Sequence, residues 1–243
     1  MTGLVLAGTS ESRQLCERLA SHNVDAIASL AGATRQPETL ALKTRTGGFG
    51  GQSGLEEFIK NNDIRWIVDT THPFASQISK NAINAAKACN CPYLLLERSA
   101  WQSAEGDRWL HVKTAEEAIS QVDNSQIIFL GTGRNTVETF KGLDAKHIYC
   151  RVIDQPSSDF PAANGTYLVG RPPFSVEEEI TLFKDLEIDV IIVKNAGGDG
   201  GVAKLEAARN LGLKVILIDR PTHNIEPKVA TVDTALEWVL ERA

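Results

Sequence analysis

A series of short, almost wholly apolar runs, each followed by a stretch of helical period, constrains this chain more than any other feature. The runs are LVLAG (4–8), AIASLAG (26–32), IRWIVDTT (64–71), PYLLLER (92–98), IIFLGT (127–132), HIYCRVI (147–153), IDVIIVKN (188–195) and LKVILIDR (213–220). Segments dominated by Val, Ile and Leu suit strands buried on both faces, and intervening stretches such as SQISKNAINAAKA have the spacing of crossover helices. Alternation of this kind predicts an α/β fold with mainly parallel sheets.

The pattern also repeats. Residues 64–98 align with residues 188–220, pairing Ile64 with Ile188, Ala85 and Ala86 with Ala207 and Ala208, and Arg98 with Arg220. LVLAGTSE at 4–11 echoes IIFLGTGR at 127–134. Either an internal duplication or the common look of strand–helix–strand units accounts for the match. Both readings divide the chain near residue 100, into a domain of residues 1–100 and one of residues 101–243. The polar SAWQSAEGDRW (99–109) reads as a linker and IDQPSSDFPAANG (153–165) as a surface loop. TALEWVLERA reads as a closing helix that turns Leu236 and Val239 or Leu240 toward a sheet.

Composition narrows the class. A chain of 243 residues with 42% hydrophobic content can close a core without staples. Its net charge of -6 opposes a broad nucleic-acid-binding face but leaves room for a local basic pocket. Cys16, Cys89, Cys91 and Cys150 have neither the spacing of a disulfide framework nor a second zinc-ligand pair, so they read as buried thiols and no metal is expected. No run reaches membrane length and no leader precedes LVLAG, so the expectation is a cytoplasmic protein without a membrane partner, its oligomeric state open.

In open parallel sheets, ligands bind beyond the carboxyl ends of the strands, so the loops after the runs are where chemistry is sought. In GTSESR, Gly8 gives a tight exit from the strand, and Thr9 and Ser10 either cap a helix or offer hydroxyls to a phosphate at its N-terminus. In SLAGATR, Thr34 and Arg35 follow the second run, where an arginine suits a nucleotide 2′-phosphate; a solvated surface arginine is the alternative. TRTGGFGGQSG packs Gly47, Gly48, Gly50, Gly51 and Gly54 into one loop that a ligand can approach closely. In VDTTHPFASQ, Asp69 ends a strand and His72 is either a general acid or a structural hydrogen-bonding group. The second half places Arg134 (GTGRN), Arg171 (GRPPF) and Lys194 (VKNAGGDGG) near strand ends beside glycines, a set of cations that suits a multiply charged anion.

Taken in order, GTSESR, SLAGATR, GGFGG, DTTHPFA, ERSAW, TGRN, RPPF and KNAGG resemble the precorrin-6A reductase family of cobalamin biosynthesis over nearly the full chain. The resemblance implies two Rossmann-like domains with a cleft between them, and reduction of a macrocycle double bond in precorrin-6A, or its cobalt form, by NADPH, with NADH possible. It assigns Gly8, Thr9, Ser10, Glu11, Thr34 and Arg35 to the cofactor, together with Gly48, Gly50, Thr71 and Pro73. It assigns Arg134, Arg171, Lys194, Asn195, Gly197 and Gly198 to the carboxylates of a tetrapyrrole, and leaves His72, Asp69 or solvent as the proton donor. Ala33, Pro172 and Ala196 depart from the family pattern, which has Arg, Gly and Ser there. A reductase of another polyanionic small molecule and a non-catalytic nucleotide-sensing module are the rival readings.

Overall fold

The computed structural model describes residues 2–32, 39–222 and 225–243. It forms two compact units: one holds the chain up to Ser99 together with Pro221–Ala243, the other Ala100–Arg220. In chain order the first unit contributes β1 (Thr2–Leu6), α1 (Ser10–Ser21), β2 (Ala26–Leu30), β3 (Lys43–Thr46), α2 (Gln52–Asn61), β4 (Ile64–Asp69), α3 (Ser76–Ala88) and β5 (Tyr93–Leu96). The second contributes β6 (Arg108–Val112), α4 (Ala115–Ile119), β7 (Ile127–Gly131), β8 (His147–Val152), β9 (Gly165–Val169), α5 (Val176–Asp185), β10 (Val190–Lys194), α6 (Ala203–Leu211) and β11 (Lys214–Ile218), with a 3-10 helix at Arg134–Phe140. The chain then returns to the first unit with β12 (Lys228–Val229) and α7 (Val232–Leu240).

Each unit carries one six-stranded sheet, in the order β12-β5-β4-β1-β2-β3 and β6-β11-β10-β7-β8-β9. Every strand pair is parallel. These are two Rossmann-like sheets with their last strands exchanged along the chain. β6, which comes first in the second unit, fills the outer place beside β11, and β12, which comes last in the chain, fills the equivalent place beside β5. Residues 221–243 therefore do not belong with the second half, as the sequence reading had them. The reason is apolar burial: Ala235, Leu236 and Val239 of α7 pack with Leu15, Cys16 and Leu19 of α1 over Val5, Trp66 and Val68.

Alternation along the central strands explains the runs. Leu4 and Leu6 of β1 and Ile67 of β4 face α2 and α3, whereas Val5, Trp66 and Val68 face α1 and α7. In the second sheet Phe129, Ile191, Val193, Val215 and Leu217 face α5 and α6. Both faces are covered, so neither can be polar. The two segments matched in the internal repeat occupy the same sheet positions, β4-α3-β5 and β10-α6-β11. The buried thiols of Cys16 and Cys150 are pushed up to about 12 and that of Cys91 to about 11, which leaves them inert. No helix among the described residues is long and apolar enough to cross a membrane.

Candidate functional site

Strand order reverses between β1 and β4 in the first sheet and between β7 and β10 in the second, and the loops at those points hold most of the candidate residues. At the end of β1, Thr9 is the N-cap of α1. Its hydroxyl accepts from the Ser12 N–H at 3.3 Å and donates to the Thr70 carbonyl at 2.9 Å, while the Ser12 hydroxyl accepts from the N–H groups of Gly8 and Thr9 at 3.1 and 3.0 Å. Thr9 thus caps the helix and ties the β1 loop to the β4 loop. Ser10 donates to Glu11, and Glu11 accepts from Arg98 at 2.5 Å in a pair that is largely shielded from solvent. Burial alone would raise the Glu11 pKa, but its own backbone N–H, Arg98 and Ser10 together hold it below the usual value.

At the end of β4, Asp69 is fully buried. Its carboxylate accepts from the Thr71 N–H (3.0 Å), the Thr71 hydroxyl (2.7 Å) and the Tyr93 hydroxyl (2.9 Å). Burial, with the Asp69 charge adding to it, pushes the Tyr93 hydroxyl well above its usual pKa, so it remains a donor. Asp69 thereby fixes Thr71 and the turn that follows. The half-buried His72 accepts the Phe74 N–H on Nδ1 at 3.2 Å. A neutral imidazole in that arrangement carries its proton on Nε2. Pro73 is buried beneath this turn. Gly48 and Gly50 lie past β3, two strands from β1. Thr34 and Arg35 lie outside the described residues.

In the second unit Arg134 is exposed after β7, and Lys194 ends the neighbouring β10. Burial lowers the pKa of the Lys194 ammonium. Arg171 follows the edge strand β9, two places from β7, and meets Asp154 at 3.5 Å. The Asn195 side chain is used within the protein: Oδ1 accepts the Trp101 N–H at 2.9 Å and Nδ2 donates to the Trp101 carbonyl at 3.3 Å. Trp101 in turn donates from its indole to the Gly198 carbonyl at 2.9 Å, and Arg220 holds the carbonyls of Asn195 and Ala196 at 2.8 Å each. Gly197 and Gly198 adopt φ of 65° and 72°, which the tight turn after β10 requires.

The family model described as precorrin-6x reductase CbiJ/CobK matches residues 3–240. This chain belongs to that family. It is 36% identical over 239 residues to a precorrin-6A reductase of Rhodobacter capsulatus, covering 98% of this chain and 95% of that one. It is 40% identical over 241 residues to a precorrin-6A reductase of Rhodococcus erythropolis, covering 97% and 96%. The solved structure of a CobK precorrin-6A reductase superposes with a TM-score of 0.96 at 35% identity, covering 100% of this chain and 97% of that one.

Several residues that shape these loops carried no sequence signal. Arg45 is one: a single arginine in a polar tetrapeptide, it donates to Ser29 at the end of β2 (2.7 Å) and to the Gly48 carbonyl (3.1 Å), with its guanidinium 4.1 Å from the Phe49 ring centre. It holds the glycine-rich loop against β2. Gly54 is required by the same loop, because a Cβ there would stand 1.8 Å from the Phe49 carbonyl oxygen. Gly54→Ala is therefore expected to cost roughly 1–3 kcal/mol through forced backbone movement, read as a lower urea midpoint at unchanged slope. A midpoint equal to the parent's would show that the loop yields freely. In GRPPF the anchor is Phe174, whose ring lies 4.2 Å from the Arg151 guanidinium and would be 3.0 Å from a Cβ on Gly170.

Proposed function

We propose that this protein reduces a double bond of precorrin-6A, with NADPH bound by the first unit and the carboxylates of the tetrapyrrole by the second. The observation that carries the reading is likeness along the whole chain, both units included, to proteins named precorrin-6A reductase. The first unit fits a dinucleotide: the space over Gly8 at the strand-order reversal is open, as it is over Gly47, Gly48, Gly50 and Gly51, where a Cβ would meet nothing within 4 Å. Bound there, a reduced nicotinamide supplies the hydride, and the acceptor takes one proton to complete the addition.

Gly8, Ser10 and Glu11 line the pyrophosphate side of this site, with Thr9 holding the loop closed, and Gly48 and Gly50 give close backbone approach. Arg35, with Thr34, receives the 2′-phosphate and so favours NADPH over NADH. Thr71 and Pro73 shape the nicotinamide side, where His72 presents Nε2–H. Asp69 is a positioning residue, since its oxygens already serve Thr71 and Tyr93. In the second unit Arg134, Arg171 and Lys194 supply positive charge, Gly197 and Gly198 shape the turn that approaches the macrocycle, and Asn195 fixes that turn against Trp101. The expected result is that oxidation of NADPH, followed by its absorbance, depends on added precorrin-6A and yields one reduced macrocycle per nucleotide. Oxidation that ignores both precorrin-6A and its cobalt form would overturn the assignment.

A further inference from the structure

The matched segments of the two units each end in an arginine, Arg98 after β5 and Arg220 after β11, and each arginine reaches a loop at its own sheet's strand-order reversal. What they grasp differs. Arg220 holds the backbone carbonyls of Asn195 and Ala196 at 2.8 Å each. Arg98, on a strand two places from β1, instead meets a carboxylate at 2.5 Å, that of Glu11 in the first turn of α1. A tie to the backbone is enough to hold a loop. A tie to a carboxylate also cancels a charge.

That charge stands at the positive end of α1, three residues past Gly8, over which a Cβ would meet nothing within 4 Å. An acidic group at a helix start satisfies the helix end by itself and repels a phosphate brought to it. The side chains of Glu11 and Arg98 are 17% and 15% exposed, so solvent screens neither the repulsion nor the pairing well. Glu11 also accepts from the Ser10 hydroxyl at 3.1 Å. Of the other charged groups on these elements, Arg13 is exposed on α1, Arg18 pairs with Asp233 of α7, and Glu97 pairs with Lys228 at 3.6 Å. Among the described residues, Arg98 is the one whose charge acts on Glu11.

We propose that Arg98 is a positioning residue for the dinucleotide: by neutralising Glu11 it keeps the first turn of α1 receptive to a pyrophosphate and holds the loop in the shape that receives it. This role deepens, and rests on, the reading that the first unit holds NADPH, and it falls to a residue 87 positions along the chain from the one it acts through. With Arg98 in place Glu11 stays ionised: burial, the largest effect, raises its pKa, but its own backbone N–H, Arg98 and Ser10 together hold it below the usual value. Removing Arg98 takes away two of the lowering influences, and a bound pyrophosphate adds a raising one. Glu11 then takes up a proton as the nucleotide binds, so affinity in the variant rises as pH falls, whereas the parent has no such proton to gain.

The probe is NADP+, which survives acid better than NADPH, titrated into the whole protein by calorimetry from about pH 5 to 8. Arg98→Met is expected to bind roughly ten- to a hundredfold more weakly than the parent near neutral pH and to close most of that gap near pH 5. Arg98→Met combined with Glu11→Gln should recover most of the loss at every pH. Taking the ratio of variant to parent at each pH removes the titration of the nucleotide's own 2′-phosphate. Thermal melts establish that each variant is folded. Arg98→Gln, which still donates to Glu11 but carries no charge, replaces Arg98→Met if the latter melts below the assay temperature, with the same expectation. A loss that neither acid nor Glu11→Gln restores would mean that Arg98 serves the fold alone, and overturns its role toward the nucleotide. Parent-like affinity for Arg98→Met at every pH overturns it as well. In both cases the parent's own binding leaves the cofactor reading standing. A parent that binds neither NADP+ nor NAD+ overturns that reading and the role of Arg98 with it.

Discussion

His72→Asn is expected to slow single-turnover reduction by about 10²- to 10⁴-fold, the range for loss of a positioned proton donor, with NADPH affinity changed by less than about threefold. The substitution separates the ring's two nitrogens. Nδ1 accepts from the Phe74 N–H, and an asparagine Oδ1 reaches the same place, so the turn between Thr71 and Ala75 keeps its hydrogen bond. What disappears is Nε2–H. His72→Gln makes the opposite trade: its amide extends to the Nε2 position but no longer serves Phe74, so it should lose affinity and rate together. A single-turnover rate for His72→Asn within about threefold of the parent would remove His72 from the chemistry and leave solvent as the proton source.

The second large effect concerns stability. Glu179→Ala is expected to destabilise the protein by about 3–5 kcal/mol, the cost of stranding one member of a buried ion pair. Arg151 and Glu179 have side chains 13% and 2% exposed and are joined at both oxygens, with the guanidinium held between the rings of Phe129 (4.8 Å) and Phe174 (4.2 Å). Removing Glu179 leaves the Arg151 charge without its partner and facing Lys204, a second cation. Glu179→Gln keeps one acceptor and should lose less. Urea unfolding followed in the far ultraviolet checks the order Glu179→Ala below Glu179→Gln below parent. A loss under about 1 kcal/mol for Glu179→Ala would mean that water reaches the pair as readily as it reaches a surface bridge.

The central strands were legible because burial on both faces forbids polar residues there; each apolar run corresponds to a strand. β3, β6, β9 and β12 left no such run, and they are the edges of the two sheets. An edge strand such as Lys43–Thr46, reading KTRT, keeps its place through backbone pairing with β2 rather than through side-chain burial, so its composition looks like a loop. The C-terminal segment was assigned to the wrong half because adjacency in sequence is the natural guess, whereas α7 follows the apolar faces of α1 and β5. The loops at the strand-order reversals were read from their glycines and cations, but the hydrogen bonds within them were not. Asn195, which the resemblance assigns to the substrate, also holds Trp101, and Arg45 in the polar KTRT ties the glycine-rich loop to β2. Such roles depend on what approaches from distant parts of the chain.

The exchange of outer strands has a consequence for how the protein is made. As the chain leaves the ribosome, everything needed for the first sheet except β12 has emerged by Leu96, yet β12 and the covering helix α7 are translated only after the whole second unit. Until then the apolar surface of Leu15, Leu19, Leu94 and Leu96 that α7 will cover stands bare, through the synthesis of the whole second unit. The nascent amino-terminal half therefore exposes apolar surface during that interval, and truncation just after residue 220 should release a protein whose second unit is complete and whose first is not.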